Sequence, residues 1–186
     1  MVAKILSAIA PPEKIVEYDE RIIKCFVAGA IDTMKFYFTD LQVNSGTPSL
    51  REPDALRNCY ASAVISLKTS DFGGTMSLGL PVTFIKQWVM RIFEDPDFKI
   101  NNEVIGSVTE ELCNQVQGIV TSNLEKLGIR TDQLSTSILT IGKAHAIRHE
   151  ISTRAIVIPI NVGETGGIEL EFCSSKSLAV KASANT

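Results

Sequence analysis

Hydrophobic residues recur at every third or fourth position in three segments of the chain, and this spacing predicts three amphipathic helices. The first spans about Glu20 to Leu41. The second is the segment FIKQWVMRIF, which Thr83 is placed to cap and which ends near Asp95. Trp88 lies within this segment and is predicted to belong to the core.

The third predicted helix has one apolar side and one polar side. Ser107 is its predicted N-cap, Glu110 stands at the capping-box position, and Gly128 ends the helix. At about 100° per residue, a narrow polar stripe comprises Ser107, Glu111, Asn114, Gly118 and Glu125. The apolar residues, Val108, Leu112, Val116, Ile119, Val120 and Leu127, centre about half a turn away. We expect the apolar side to pack on the core and the polar stripe to be presented to a partner.

Alternating patterns predict strands in the rest of the chain. The segments ASAVISLKTS and TMSLGLPV indicate a β-hairpin, with Gly73 and Gly74 supplying the positive φ angles of its turn. SILTIG, RAIVIPINV and GGIELEFCS predict at least three more strands, with a turn at Gly166 and Gly167. Residues 43–58 indicate a loop or long connection. The whole predicts an α+β fold, an antiparallel β-sheet with long helices packed on one face.

The domain prediction is an N-terminal extension over residues 1–19, one domain over residues 20–176, and a C-terminal tail over residues 177–186. The tail is small and polar, so it has little to bury and is expected to fray. A chain of 186 residues is long enough for one core without a disulfide or metal staple.

Composition and charge exclude several partners. The net charge is -3 and the pI about 5.5, and lysines and arginines form no cluster, so neither nucleic acid nor an anionic membrane is expected to bind. The scattered cysteines, with no CxxC pair, indicate reduced core residues of a cytoplasmic protein. The apolar run at the start is short and carries Lys4, which argues against a signal peptide or membrane span.

Other chemical patterns are weaker than their structural alternatives. His145 and His149 could be metal ligands on one face of a helix, but they fall among predicted strands with no acidic or cysteine cluster nearby, so structural or surface roles are favoured and no metal site is predicted. The glycine pairs match no phosphate-binding pattern. No serine stands in a nucleophile-elbow pattern.

The third helix carries a motif that resembles a known family. The string Glu111-Leu112-Cys113-Asn114-Gln115-Val116-Gln117-Gly118, followed by LEKLG, resembles the ExxNxxxG helix of the CheC/CheX/FliY family of chemotaxis phosphatases. The order of elements over about residues 20–176 is most similar to that of CheX. The resemblance therefore implies a CheC/CheX-like single domain.

The resemblance implies an activity and assigns roles to two residues. Such proteins hydrolyse the phosphoaspartate of CheY-type response regulators. Asn114 would orient the attacking water and Glu111 would hold a lysine of the partner. Ser107 and Gly118 would lie in the contact with the partner. The protein would need no cofactor of its own, because the Mg²⁺ ion belongs to the response regulator.

The alternatives are non-catalytic. One is a CheC-like binding or scaffold module for a receiver domain or another signalling protein, and a weaker one is a structural component of the flagellar switch. The first-helix segment FVAGAIDT has neither the Glu nor the Asn of a second motif, which implies one active helix per chain, as in CheX. A homodimer that joins sheet edges is also expected from the resemblance.

Overall fold

Three helices pack on one face of an antiparallel sheet in this computed structural model, which describes residues 19–52, 55–95, 97–143, 145–147, 149, 154–164 and 166–174. The helices are α1 (Glu20–Tyr37), α2 (Val82–Phe93) and α3 (Asn102–Lys126). The strands are β1 (Val43–Ser45), β2 (Ser49–Arg51), β3 (Ala61–Thr69), β4 (Gly73–Leu80), β5 (Thr131–Leu134), β6 (Ile138–Ile141), β7 (Ala155–Val162) and β8 (Gly167–Ser174). The predicted α+β class is confirmed.

The sheet follows the order β1-β7-β8-β4-β3-β5, with β2 also paired to β7 and β6 also paired to β3. Alternate residues of the central strands face the helices and form the core, among them Met76, Leu78 and Leu80 of β4. Phe172 of β8 meets Phe26 of α1 at a ring-centroid distance of 4.2 Å. Apolar side chains of both layers are thus buried against each other.

The predicted helix starts are wrong in two places. α3 begins at Asn102, because the side chain of Asn101 accepts a hydrogen bond from the Val104 amide at 2.9 Å. Ser107 therefore lies inside the helix, and the capping box proposed with Glu110 does not form. α2 begins at Val82 after Pro81, without a side-chain cap, so Thr83 is not its N-cap.

The predicted hairpin turn is displaced. Gly73 and Gly74 belong to β4, and the turn before them is held by the Thr69 hydroxyl, which accepts from the Phe72 amide at 3.0 Å. Gly74 is required for a different reason: a Cβ atom there would lie 2.6 Å from the carbonyl oxygen of Cys173. The turn before β8 does use positive φ, at Gly163 (57°) and Gly166 (126°).

Further boundaries differ from expectation. Strands β1 and β2 occupy part of the predicted loop at 43–58 and pair with β7. The last third supplies β5 in addition to the three predicted strands. α1 ends at Tyr37, earlier than Leu41. The predicted extension and tail lie outside the described residues, apart from Asp19, which caps α1 by accepting from the Arg21 amide.

The face of the sheet opposite the helices carries a buried ionic cluster. Glu171 of β8 forms an ion pair with Arg57 and a hydrogen bond with His149, and Arg51 reaches the same carboxylate at 3.1 Å. His145 is held separately by the Ser62 hydroxyl at 2.8 Å. The two histidine side chains therefore have different side-chain partners on this face.

The cysteines within the described residues are free and buried. Trp88 is fully buried, as predicted. In the described part of the chain, no helix combines the length and the apolar character needed to cross a membrane.

Candidate functional site

Helix α3 is held firmly along its inner side. Its buried residues include Val108, Leu112, Val116 and Val120, which are the centre of the predicted apolar side. Of the other two, Ile119 is half-buried and Leu127 is 42% exposed, so the prediction that Leu127 packs inward is wrong. The helix is a rigid base for side chains on its outer face.

The predicted polar stripe is exposed. The residues concerned are Ser107, Glu111, Asn114, Gly118 and Glu125. Within the described residues, the side-chain amide of Asn114 has no hydrogen-bond partner, so its oxygen and nitrogen face solvent. Glu111 lies one helical turn before it on the same face. A carboxylate and an amide are therefore presented side by side.

The carboxylate of Glu111 is contacted by Gln115, for which the sequence predicts no role. Gln115, four residues later, donates from Nε2 to a carboxylate oxygen of Glu111 at 2.7 Å. The i, i+4 spacing was the available signal for this pair. Because Gln115 uses one donor on one oxygen, the carboxylate keeps lone pairs for a partner.

Gly118 has no packing reason to be glycine. A Cβ atom at Gly118 would have nothing within 4 Å, whereas at Gly29 it would lie 2.7 Å from Val120 Cγ2 and 3.1 Å from the Val116 carbonyl oxygen. Gly29 is thus explained by the close contact of α1 with α3. At Gly118 the fold leaves open space beside Asn114.

A shallow groove of about 450 Å³ continues this open space towards α1. It is lined by Asp32, Thr33, Phe36, Gln115, Gly118 and Ile119. Phe36 is 74% exposed, which is unusual for so large an apolar side chain. No motif on α1 predicts a functional role, so the sequence alone does not reveal this part of the surface.

The side chains on the exposed face of α3 can position a water molecule and a partner. Asn114 can accept a hydrogen bond from a water and donate to an oxygen of a partner, and Glu111 can bind a cation. Among the described residues, no group of three or more His, Cys, Asp or Glu side chains is placed to hold a metal ion.

The α+β fold is one that solved CheC-like and CheX structures share. No protein-family model and no curated protein sequence matches the chain. Solved structures, in contrast, match the chain. A CheC-like superfamily protein from Shewanella sp. PV-4 superposes with a TM-score of 0.73 at 23% identity, over 85% of this chain and 99% of that one.

Two chemotaxis proteins named CheX share the fold. That of Desulfovibrio desulfuricans gives a TM-score of 0.71 at 21% identity, over 83% of this chain and 99% of that one. The CheX of Borrelia burgdorferi, solved in complex with CheY, BeF3 and Mg²⁺, gives 0.64 at 15% identity, over 86% of this chain and 99% of that one. At these identities the likeness establishes the fold.

Proposed function

We propose that the chain is a CheX-like phosphatase that hydrolyses the phosphoaspartate of a CheY-type response regulator. The observation that carries the proposal is the exposed pair on α3. Asn114 and Glu111 lie one turn apart, Glu111 is held by Gln115, and Gly118 leaves the adjoining turn bare. The shared fold with a CheX that was solved together with CheY supports the choice of partner.

The proposed reaction requires few chemical groups from this protein. A water oxygen attacks phosphorus, the bond between phosphorus and the aspartyl oxygen breaks, and the aspartate leaves as a carboxylate while the water's protons go to phosphate and solvent. The acyl phosphate is already activated, so the main requirement is to place the water in line. The Asn114 side-chain oxygen would accept a hydrogen bond from that water, and an amide needs no titration to do so.

Glu111 would hold the partner in register. Its carboxylate would accept a charge-assisted hydrogen bond from a lysine of the receiver domain, in an interface that excludes part of the water. The Mg²⁺ ion would belong to the receiver, where it offsets charge on the phosphoryl oxygens, and this chain would contribute no cofactor. Ser107, one turn before Glu111 and exposed, would lie in the same interface.

Cytoplasmic location and a homodimer complete the proposal. Response regulators with phosphorylated receivers work in the cytoplasm, so a phosphatase for them would be there too. Strand β6 lies at one edge of the sheet, and its residue Ile138 is 66% exposed. An exposed edge strand would favour pairing with a second copy of the chain. Light scattering of the purified protein would measure its mass directly.

The test is the decay of a receiver phosphoaspartate in the presence of Mg²⁺, with and without this protein. A panel of CheY-type receivers from the same cell would be phosphorylated with a small phosphodonor. We expect wild-type protein to accelerate decay of at least one, and Asn114→Ala to lose on the order of a hundredfold in rate. Binding to the beryllofluoride-loaded receiver should change by less than about threefold, because Asn114 acts on the water.

Asn123→Ala is the matched control, since Asn123 lies on the same helix away from the polar stripe. It should leave hydrolysis unchanged. A receiver that binds tightly but decays at the same rate with wild-type protein would support the scaffold function instead. No binding to any receiver of the panel would reject both.

A further inference from the structure

Phe36 presents an exposed aromatic ring on α1. Its ring meets that of Tyr37 edge-on at a centroid distance of 5.2 Å, and Tyr37 meets the buried Trp88 at 5.3 Å. A large apolar side chain that is 74% exposed offers apolar surface for contact with a partner.

The groove beside Phe36 is continuous with the polar stripe on α3. Gln115 and Gly118 line the groove, and Gln115 also holds Glu111. On the other side, Thr33 is satisfied internally by donating to the Gly29 carbonyl oxygen at 2.8 Å. The groove therefore offers a partner the apolar surface of Phe36 and Ile119.

The charge of this surface is negative. Asp32 lines the groove, is exposed and forms no ion pair or hydrogen bond within the described residues. Gln115 also lines the groove and contacts Glu111, which adds a second carboxylate nearby. No lysine or arginine is among the residues that line the groove. A partner that presents a basic side chain next to an apolar one would match both features.

We propose that this groove is a second contact surface for the receiver domain and selects which receivers are accepted. The inference rests on the proposed function, and the occupant it names is the same receiver that Asn114 and Glu111 engage. That receiver inserts an apolar side chain against Phe36 and places a lysine or arginine beside Asp32. The groove thereby contributes affinity and specificity, while α3 contributes the chemistry.

The experiment measures KM, kcat and affinity for the receiver identified by its accelerated decay. Phe36→Ala should weaken binding of the beryllofluoride-loaded receiver roughly tenfold and raise KM by the same factor, with kcat unchanged. Asp32→Asn should weaken binding about threefold at low salt and less at high salt. Leu56→Ala is the matched control, since Leu56 is 68% exposed and is not among the residues that line the groove.

The outcomes separate this inference from the proposed function. If Asn114→Ala lost hydrolysis while Phe36→Ala left KM unchanged, the groove would not be a contact surface for the receiver, but the proposed phosphatase activity would stand. A lowered kcat with unchanged KM in Phe36→Ala would also overturn it. If Phe36→Ala instead abolished self-association of the protein and left receiver binding intact, the occupant would be a second copy of the chain. If no receiver bound, both proposals would fall together.

Discussion

Gln115 donates a hydrogen bond to the carboxylate of Glu111. The amide nitrogen of Gln115 lies 2.7 Å from a carboxylate oxygen of Glu111, one turn back along α3. Both side chains are on the outer surface, where an isolated pair of this kind stabilises a helix by only about 0.2–0.5 kcal/mol. The consequence of the contact is therefore one of geometry, because it reduces the number of directions in which the carboxylate can point.

We expect Gln115→Leu to impair partner binding more than it impairs folding. Without its donor, Glu111 must be ordered when the receiver arrives, so KM should rise by about 1.4- to 2.3-fold, the factor to which 0.2–0.5 kcal/mol corresponds, while kcat stays unchanged. The melting temperature should change by no more than a few degrees. Steady-state kinetics and a thermal melt would measure both effects.

A double-mutant cycle tests whether Gln115 acts through Glu111. In Glu111→Gln protein, the further change Gln115→Leu should have little additional effect on KM, because both substitutions disturb the same contact. Additive effects would mean that Gln115 touches the receiver independently.

Gly118→Ala should separate stability from function. Alanine is a better helix former than glycine, and the added Cβ meets nothing within 4 Å, so the free energy of unfolding should rise by about 0.5–1 kcal/mol. The same methyl group would stand where the proposed partner approaches, so affinity for the receiver should fall. Chemical denaturation and a binding titration would give the two numbers.

Gly29→Ala, on α1, should have the opposite effect on the free energy of unfolding. Its Cβ would press on Val120 and on the Val116 carbonyl, and such overpacking costs about 1–3 kcal/mol. A Gly118→Ala protein that was less stable than wild type, as Gly29→Ala should be, would show that Gly118 has a structural role after all.

The sequence predicted the helices and the long strands because their periodic patterns are strong. It failed where a local contact decided the boundary. Asn101, rather than Ser107, caps α3, so Gly106 lies within the helix, where a Cβ atom would be 2.9 Å from Leu139 Cδ2. The short strands β1, β2 and β5 depend on pairing with β7 and β3. Unlike β6, which is rich in isoleucine, these strands have three or four largely polar residues with no pattern that reveals the pairing.

The site was predictable only in part. The exposure of Glu111 and Asn114 followed from the angle between polar and apolar residues on one helix. The groove depends on how α1 crosses α3 at Gly29, and a single sequence does not give that tertiary contact.

Asn101→Ala should destabilise the protein by about 1 kcal/mol, since it removes the side-chain acceptor of the Val104 amide. Ser107→Ala should leave the free energy of unfolding within about 0.5 kcal/mol, because Ser107 is an exposed residue inside the helix. Urea denaturation of both variants measures the difference. Equal losses would contradict the helix start at Asn102.

The ionic cluster around Glu171 predicts a dependence of stability on pH. Burial would raise the pKa of Glu171, but the hydrogen bond with His149 and the charges of Arg57 and Arg51 outweigh it and hold the pKa below its ordinary value. A carboxyl group with a lowered folded-state pKa stabilises the fold above its unfolded pKa of about 4.3. That contribution is lost as the pH falls through the lowered value.

We therefore expect Glu171→Gln to cost about 3–5 kcal/mol at neutral pH, where it leaves buried Arg57 without its carboxylate. The gap between wild type and variant in free energy of unfolding should shrink below about pH 4, because wild type then protonates the same group. Glu169→Gln is the control: Glu169 pairs with Arg51 at 2.8 Å but is more exposed, so its loss should cost no more than about 1 kcal/mol. Denaturation curves at several pH values decide the matter, since a gap that stays constant from pH 7 into the acid range would mean that the carboxylate charge is not what stabilises this face of the sheet.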